Sequence, residues 1–158
     1  MKRVDCGRGY YALVSDEDYS LVNKYKWRTD GRYGISHKKV GDKYRTVLMH
    51  RLIANTPKGF LTDHINGNTL DNRRENLRIC DRYENARNVG VPKTNKTGYK
   101  GVRYNSKCPK RPWFSIIKFR SKAIFLGNYS TKEEAAVAYN NAALTYHGEF
   151  AKLNTVNL

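Results

Sequence analysis

The sequence predicts an α+β protein built as two successive units, and three observations carry that prediction. Residues 61–88 run strand, polar loop, strand, helix. Residues 99–148 run three strands and then one helix. Between them, Val89 to Gly98 collects Pro92, two glycines and polar residues in the manner of a linker. The expected domains are 1–90, a ββα module with a β-rich N-terminal extension; 91–98, the linker; and 99–158, a small three-stranded antiparallel sheet packed on one helix.

In the extension, Tyr10 to Val14 reads as a strand, Ser15 as the cap of a short helix running through Tyr25, and Tyr33 to His37 with Lys43 to Met49 as a hairpin about Gly41-Asp42. Leu61 leads a short strand that ends by presenting Asp63 and His64, and Asn66-Gly67-Asn68 is turn chemistry. Leu77 to Cys80 alternates as a second strand. Asp81, followed three residues on by Glu84, has the form of a capping box opening a helix, on which Asn85 lies one turn in and can face back toward Asp63. In the last unit Tyr99 to Asn105, Trp113 to Phe119 and Ala123 to Tyr129 are strand-like, rich in aromatic and β-branched residues. Ser130-Thr131-Lys132-Glu133 reads as a capping box. Ala135, Ala138, Tyr139, Ala142 and Tyr146 follow at helical spacing until Gly148, with Val102, Trp113, Ser115, Ile117, Ile124 and Leu126 expected beneath them.

Composition narrows the partner. The 158 residues contain 30 Lys and Arg against 14 Asp and Glu, a net charge of +16, which biases the chain toward a polyanion and above all toward nucleic acid. Residues 93–122 hold ten basic and no acidic side chains, whereas residues 1–88 hold eighteen and eleven, so a basic stripe begins at the linker. No run of apolar residues has the length of a membrane-spanning helix and none follows Met1 as a signal peptide would, so a soluble, cytoplasmic protein without a membrane partner is expected. Cys6, Cys80 and Cys108 are far apart and form no CxxC pair, which points to reduced thiols and no structural zinc.

The segment DHINGNTLDNRRENLRICDRYENARN, from Asp63 to Asn88, joins an Asp-His pair, a Gly-centred polar loop and Asn76, Asn85 and Asn88. A carboxylate, an amide oxygen, phosphate oxygens and water suit a hard divalent cation, and a neutral imidazole beside them can take a proton from water. The bland reading of the same residues is a polar turn before an N-capped helix. The segment closely resembles the HNH (ββα-metal) motif of phage and intron-encoded homing endonucleases. That resemblance implies Asp63 and Asn85 as metal ligands, His64 as general base, Asn76 as the residue that pins the loop and orients His64, and Mg²⁺ as cofactor with Mn²⁺ able to substitute. His50, in a His-Arg-Leu-Ile run that also accompanies this branch, is a possible accessory to the scissile phosphate, although a capped or hydrogen-bonded histidine at a helix start is the better reading. His37 and His147 are assigned no chemistry.

Alternation places Arg103, Phe114, Ile116, Lys118, Arg120 and Phe125 on the face of the second sheet away from its helix, where a ribbon can enter a major groove. The bland alternative is a solvated sheet face. YKGVRY, Trp113-x-Ser115-x-Ile117, FLGNY, EEAAVAYNNAA and the closing HGEFA-x-LN resemble the plant ethylene-response-factor (Apetala-type) DNA-binding domain over nearly all of residues 97–155. The resemblance implies DNA contacts from Arg103, Lys118 and Phe125, joined by Lys100. Ile116 stands where plant members usually carry an acid, and the Asn105 to Pro112 loop is differently composed, so base preference does not transfer.

The function expected is metal-dependent cleavage of double-stranded DNA by a monomer of homing or phage type, in a bacterial or phage-infected cell, with the second unit reading sequence. Two other classes stay open: a non-catalytic DNA-binding regulator with a decayed nuclease module, and an RNA-binding protein favoured by charge alone.

Overall fold

Backbone pairing in the computed structural model, which describes residues 1–29, 31–92 and 94–156, begins with a strand the sequence hides. β1 (Lys2–Asp5) carries one buried apolar side chain, Val4, and pairs antiparallel with β2 (Tyr11–Val14), setting Val4 against Ala12 in the core. Its own sequence lacks alternation; its partner makes it a strand. Lys93, part of the expected linker and the first residue of the basic stripe, lies outside the described residues.

The helix expected from Ser15 to Tyr25 is shorter than predicted. A 3₁₀ turn (Asp16–Asp18) leads into α1 (Tyr19–Val22), and Ser15 does not cap it, because its Oγ accepts the backbone N–H of Arg74 at 3.1 Å. The helix stops at Val22, whose carbonyl accepts Trp27 Nε1–H at 2.8 Å. The hairpin follows as expected about Gly41, with β3 (Ile35–Val40) against β4 (Lys43–Leu48), and leads into α2 (Met49–Ile53). Val14, Val22, Trp27, Met49 and Ile53 close around Cys6 and Ala12 as the core of this unit. β5 (Leu61–His64) pairs antiparallel with β6 (Leu77–Cys80), and α3 (Arg82–Arg87) opens on a reciprocal box in which Asp81 Oδ1 accepts Glu84 N–H at 2.7 Å and Glu84 Oε2 accepts Asp81 N–H at 2.8 Å.

By their packing the residues form two compact units, Met1–Asn85 and Ala86–Leu158. In the second, β7 (Val102–Tyr104), β8 (Trp113–Phe119) and β9 (Lys122–Tyr129) form one antiparallel sheet in that order, covered by α4 (Lys132–His147). The sequence predicts β7 to begin at Tyr99, but Gly101 has φ +77° and a Cβ there would lie 2.0 Å from Tyr139 Cδ2, so Tyr99 to Gly101 is a turn wedged under the helix. The capping box is shifted by one residue from the expected Ser130/Glu133. Thr131 Oγ1 accepts Glu134 N–H at 3.1 Å and Glu134 Oε2 accepts Thr131 N–H at 3.3 Å, while Glu133 accepts the Tyr99 hydroxyl. The buried stripe of α4 is accordingly Ala135, Ala136, Tyr139, Ala143 and His147, packed on Val102 and Ile117 with Trp113, Ile124 and Leu126 beside them.

Asn154 closes this unit. Its side chain accepts the Lys100 N–H at 2.6 Å and donates to the Lys100 carbonyl at 3.1 Å, and its backbone exchanges hydrogen bonds with the Asn140 side chain on α4. Among the described residues no helix is long and apolar enough to cross a membrane, and Cys6, Cys80 and Cys108 are free thiols.

Candidate active site and nucleic-acid interface

The β5–β6 hairpin sets the first site. Its register puts Asp63 opposite Arg78 and His64 opposite Leu77, so the Asp-His pair ends the strand with both side chains buried. The chain between the strands is held by amide chemistry. Asn76 is buried, its Oδ1 accepting the Asn66 N–H at 2.9 Å and its Nδ2 donating to the Asp71 carbonyl at 2.7 Å. Asp71 is fixed in turn by Arg73 and by Asn66 Nδ2, and Leu13 on β2 bonds the backbone of Leu70 and Asn72, tying the loop to the core. The Arg73 hydrogen bond holds the Asp71 carboxyl below the usual range.

This scaffold positions His64. Its Nε2 lies 3.3 Å from Oδ1 of Asn72, a fully buried amide; the neutral tautomer that donates there carries its basic lone pair on Nδ1. Burial pushes the His64 imidazole below its ordinary value, opposed by the Asn72 hydrogen bond and by the charges of Asp63 and Asp71. The ring is flanked by His50 (centroids 5.2 Å, edge-on) and Tyr33 (6.2 Å), which also lie 4.9 Å from each other. His50, at the start of α2, is therefore part of this cluster. It was expected to be capped or hydrogen-bonded, but among the described residues its buried Nδ1 has no hydrogen-bond partner, and burial, with His64 and Arg51 nearby, pushes it down to about 4.

Asp63 Oδ2 accepts both Nε and Nη2 of Arg78, at 2.9 and 2.7 Å. Asn85 is half-buried one turn into α3, its backbone N–H on the Asp81 carbonyl at 3.1 Å. A carboxylate and an amide are hard oxygen donors that fit a divalent cation in kind. A cation held by Asp63 would share that carboxylate with Arg78. Sequence reasoning missed Asn72, Arg78 and Tyr33. Arg78 was recoverable, since closing the hairpin on the His64–Leu77 pair puts the two opposite charges side by side.

In the second unit, Arg103, Phe114, Ile116, Lys118 and Phe125 lie on the sheet face away from α4. Arg103 pairs with Phe114 and Ile116 with Phe125 in the strand register, and the Phe114 and Phe125 rings are 6.4 Å apart. Phe125 is 61% exposed, an unusual condition for an aromatic ring on a sheet. Asn128, opposite Phe114, shares this face and was not singled out from the sequence. Two expected members sit elsewhere. Arg120 is beyond the strand, in the tight turn to β9 with φ +46° at Arg120 and +65° at Ser121, and its guanidinium lies 5.3 Å over the Phe119 ring. Lys100 donates from Nζ to the carbonyls of Arg87 (2.5 Å) and Val89 (2.7 Å), and burial, with Lys152 nearby, pushes it down to about 8. Its charge serves the C-terminal end of α3 rather than an open face.

A strand pair, a pinned loop, a buried imidazole beside a carboxylate and a capped helix together define a ββα module of the kind nucleases use. Comparison with known proteins agrees: the model of an HNH endonuclease family matches residues 47–87. An uncharacterized HNH endonuclease of Acanthamoeba polyphaga mimivirus is 31% identical over 157 residues, covering 96% of this chain and 78% of that protein. Protein 3.8 of Escherichia phage T7 is 31% identical over 96 residues, covering 61% and 77%. An ethylene-responsive transcription factor of Arabidopsis thaliana is 33% identical over 105 residues, covering 61% and 60%. No solved structure matches the chain. The chain belongs to the HNH endonuclease family.

Proposed function

We propose that the protein is a metal-dependent endonuclease of homing or phage type that hydrolyses double-stranded DNA, acting as a monomer in the cytoplasm of a bacterial or phage-infected cell. The observation that carries this reading is the buried His64, set against Asn72 on a loop that Asn76 pins, next to Asp63. His64 Nδ1 takes a proton from water as that water attacks phosphorus in line. The P–O3′ bond breaks and the departing 3′ oxygen takes a proton from solvent water, leaving 5′-phosphate and 3′-hydroxyl ends. Asp63 and Asn85 are the residues that would hold Mg²⁺, with Mn²⁺ a substitute; when bound, it stabilises charge on the phosphate and the leaving oxygen. Asn72 and Asn76 act through His64, fixing its tautomer and direction. Arg78 orients Asp63 from the neighbouring strand.

The sequence reader, in this proposal, is the domain 99–158 after a linker at 91–98, with Arg103, Phe114, Ile116, Lys118 and Phe125 entering the major groove. The +16 charge and the family's DNA chemistry support duplex DNA as partner. One observation favours the second reading, a non-catalytic DNA-binding regulator: the engagement of Asp63 by Arg78. Incubating plasmid with the protein in Mg²⁺ and in chelator separates them. The endonuclease cuts only in Mg²⁺, and a regulator leaves the plasmid intact in both.

A further inference from the structure

The β3–β4 hairpin reads as scaffold in the sequence, yet its side chains are not those of a scaffold. Lys38, Lys39, Lys43 and Arg45 line a ribbon whose residues 37–46 are all exposed, with Asp42 at the tip as its one acid. Only the base, at Ser36 and Val47, packs on the core. Lys38 stands directly opposite Arg45, a cross-strand pairing of like charges that destabilises a ribbon already short of packing. At its foot, Lys24, Lys26, Lys38 and Lys39 line an open groove of about 620 Å³ with Tyr25, Ser36 and His37, and among the described residues no acid lines it. Arg28 Nη2 donates to His37 Nε2 at 2.6 Å, which adds a guanidinium beside the groove. Tyr44, opposite Lys39, is 71% exposed. Like charges held this close, on an element with little else to stabilise it, suit a surface completed by a polyanion.

We infer that the β3–β4 ribbon and the groove at its foot form a second DNA contact surface, within the nuclease unit itself, that grips backbone phosphates of the duplex flanking the cut. The identity of the polyanion rests on the endonuclease reading. The surface recognises phosphate, not sequence: lysine ammonium groups are point charges without base-reading geometry, and the ribbon tracks the backbone while the apolar and aromatic side chains of the other unit face bases.

The test uses the full-length chain with Lys38→Gln and Arg45→Gln together, measuring affinity for duplex DNA in chelator across a salt series. Removing two phosphate contacts makes the slope of log K against log salt shallower by about 2 and weakens binding by about 50-fold near 0.1 M salt. The free protein melts no lower than the parent and up to about 2 °C higher, because the cross-strand repulsion is gone. Slope and affinity equal to the parent's overturn the inference. If duplex RNA displaces DNA from the parent equally well and the variant loses both alike, the commitment to DNA is overturned. A slope change in a parent that never cuts DNA in Mg²⁺ supports the surface and sinks the endonuclease reading instead. Should the double variant fail to fold, Lys38→Gln alone decides, with about half the slope change expected.

Discussion

His50 shows how far a single side chain's environment governs the site. Its folded-state value near 4 lies below the ordinary imidazole value near 6.5, so the unfolded chain binds the extra proton first as pH falls. The stability that a neutral His50 contributes is fully present above about pH 6.5 and is lost as pH drops toward 4, on the order of 3 kcal/mol for this group. Denaturant titrations at several pH values check this: His50→Gln should flatten the acid limb relative to the parent, and an unchanged limb would place the titration elsewhere. The same burial lowers His64, and a general base works only deprotonated. The acid limb of kcat/KM should therefore fall below the ordinary imidazole value; a limb above it contradicts an uncharged His64. Asp63, His64, Asn76 and Asn85 could be picked out from the sequence because they are confined to one segment with recognisable spacing. Asn72, Arg78 and Tyr33 could not be assigned so directly. Asn72 is one of several asparagines in a polar loop, Arg78 acquires its partner only through strand register, and Tyr33 reaches His64 from the segment that leads into β3.

At the scale of elements, capping chemistry separates competing helix starts that sequence pattern leaves nearly equal. Ser130 and Thr131 each precede a glutamate by three residues, and the structure selects Thr131 with Glu134. Thr131→Ala should destabilise the protein by about 1 kcal/mol while Ser130→Ala changes it by a few tenths, measured by denaturant unfolding. Equal losses contradict this assignment. The strands from Leu61 to His64 and from Leu77 to Cys80 were legible because turn residues and alternation mark them. β1 was not, since Lys2 to Asp5 becomes a strand only by pairing with β2. The β8–β9 turn stores strain at two non-glycine residues of positive φ, as a two-residue I′ turn demands. Ser121→Gly should relieve it and add about 1 kcal/mol, raising the melting temperature by about 2–4 °C. A fall would mean that Ser121 contributes something its backbone geometry does not reveal.

At the scale of the whole molecule, the charge of +16 and the separation into two units favour division of labour: cutting in one, reading in the other. A fragment from the expected linker to Leu158 should fold cooperatively and bind duplex DNA with steep salt dependence, because its basic cluster releases counterions. A flat salt response or non-cooperative melting would remove the independent reader. One chain carries one ββα module, so a single encounter should nick one strand, and open-circle plasmid should precede linear product. In the proposed mechanism His64 performs the chemistry on DNA. The most direct test compares the parent with His64→Ala on supercoiled plasmid in Mg²⁺, with DNA affinity measured alongside. His64→Ala should cut roughly 10²- to 10⁴-fold more slowly at nearly unchanged affinity; cutting at the parental rate would rule out His64 as the general base.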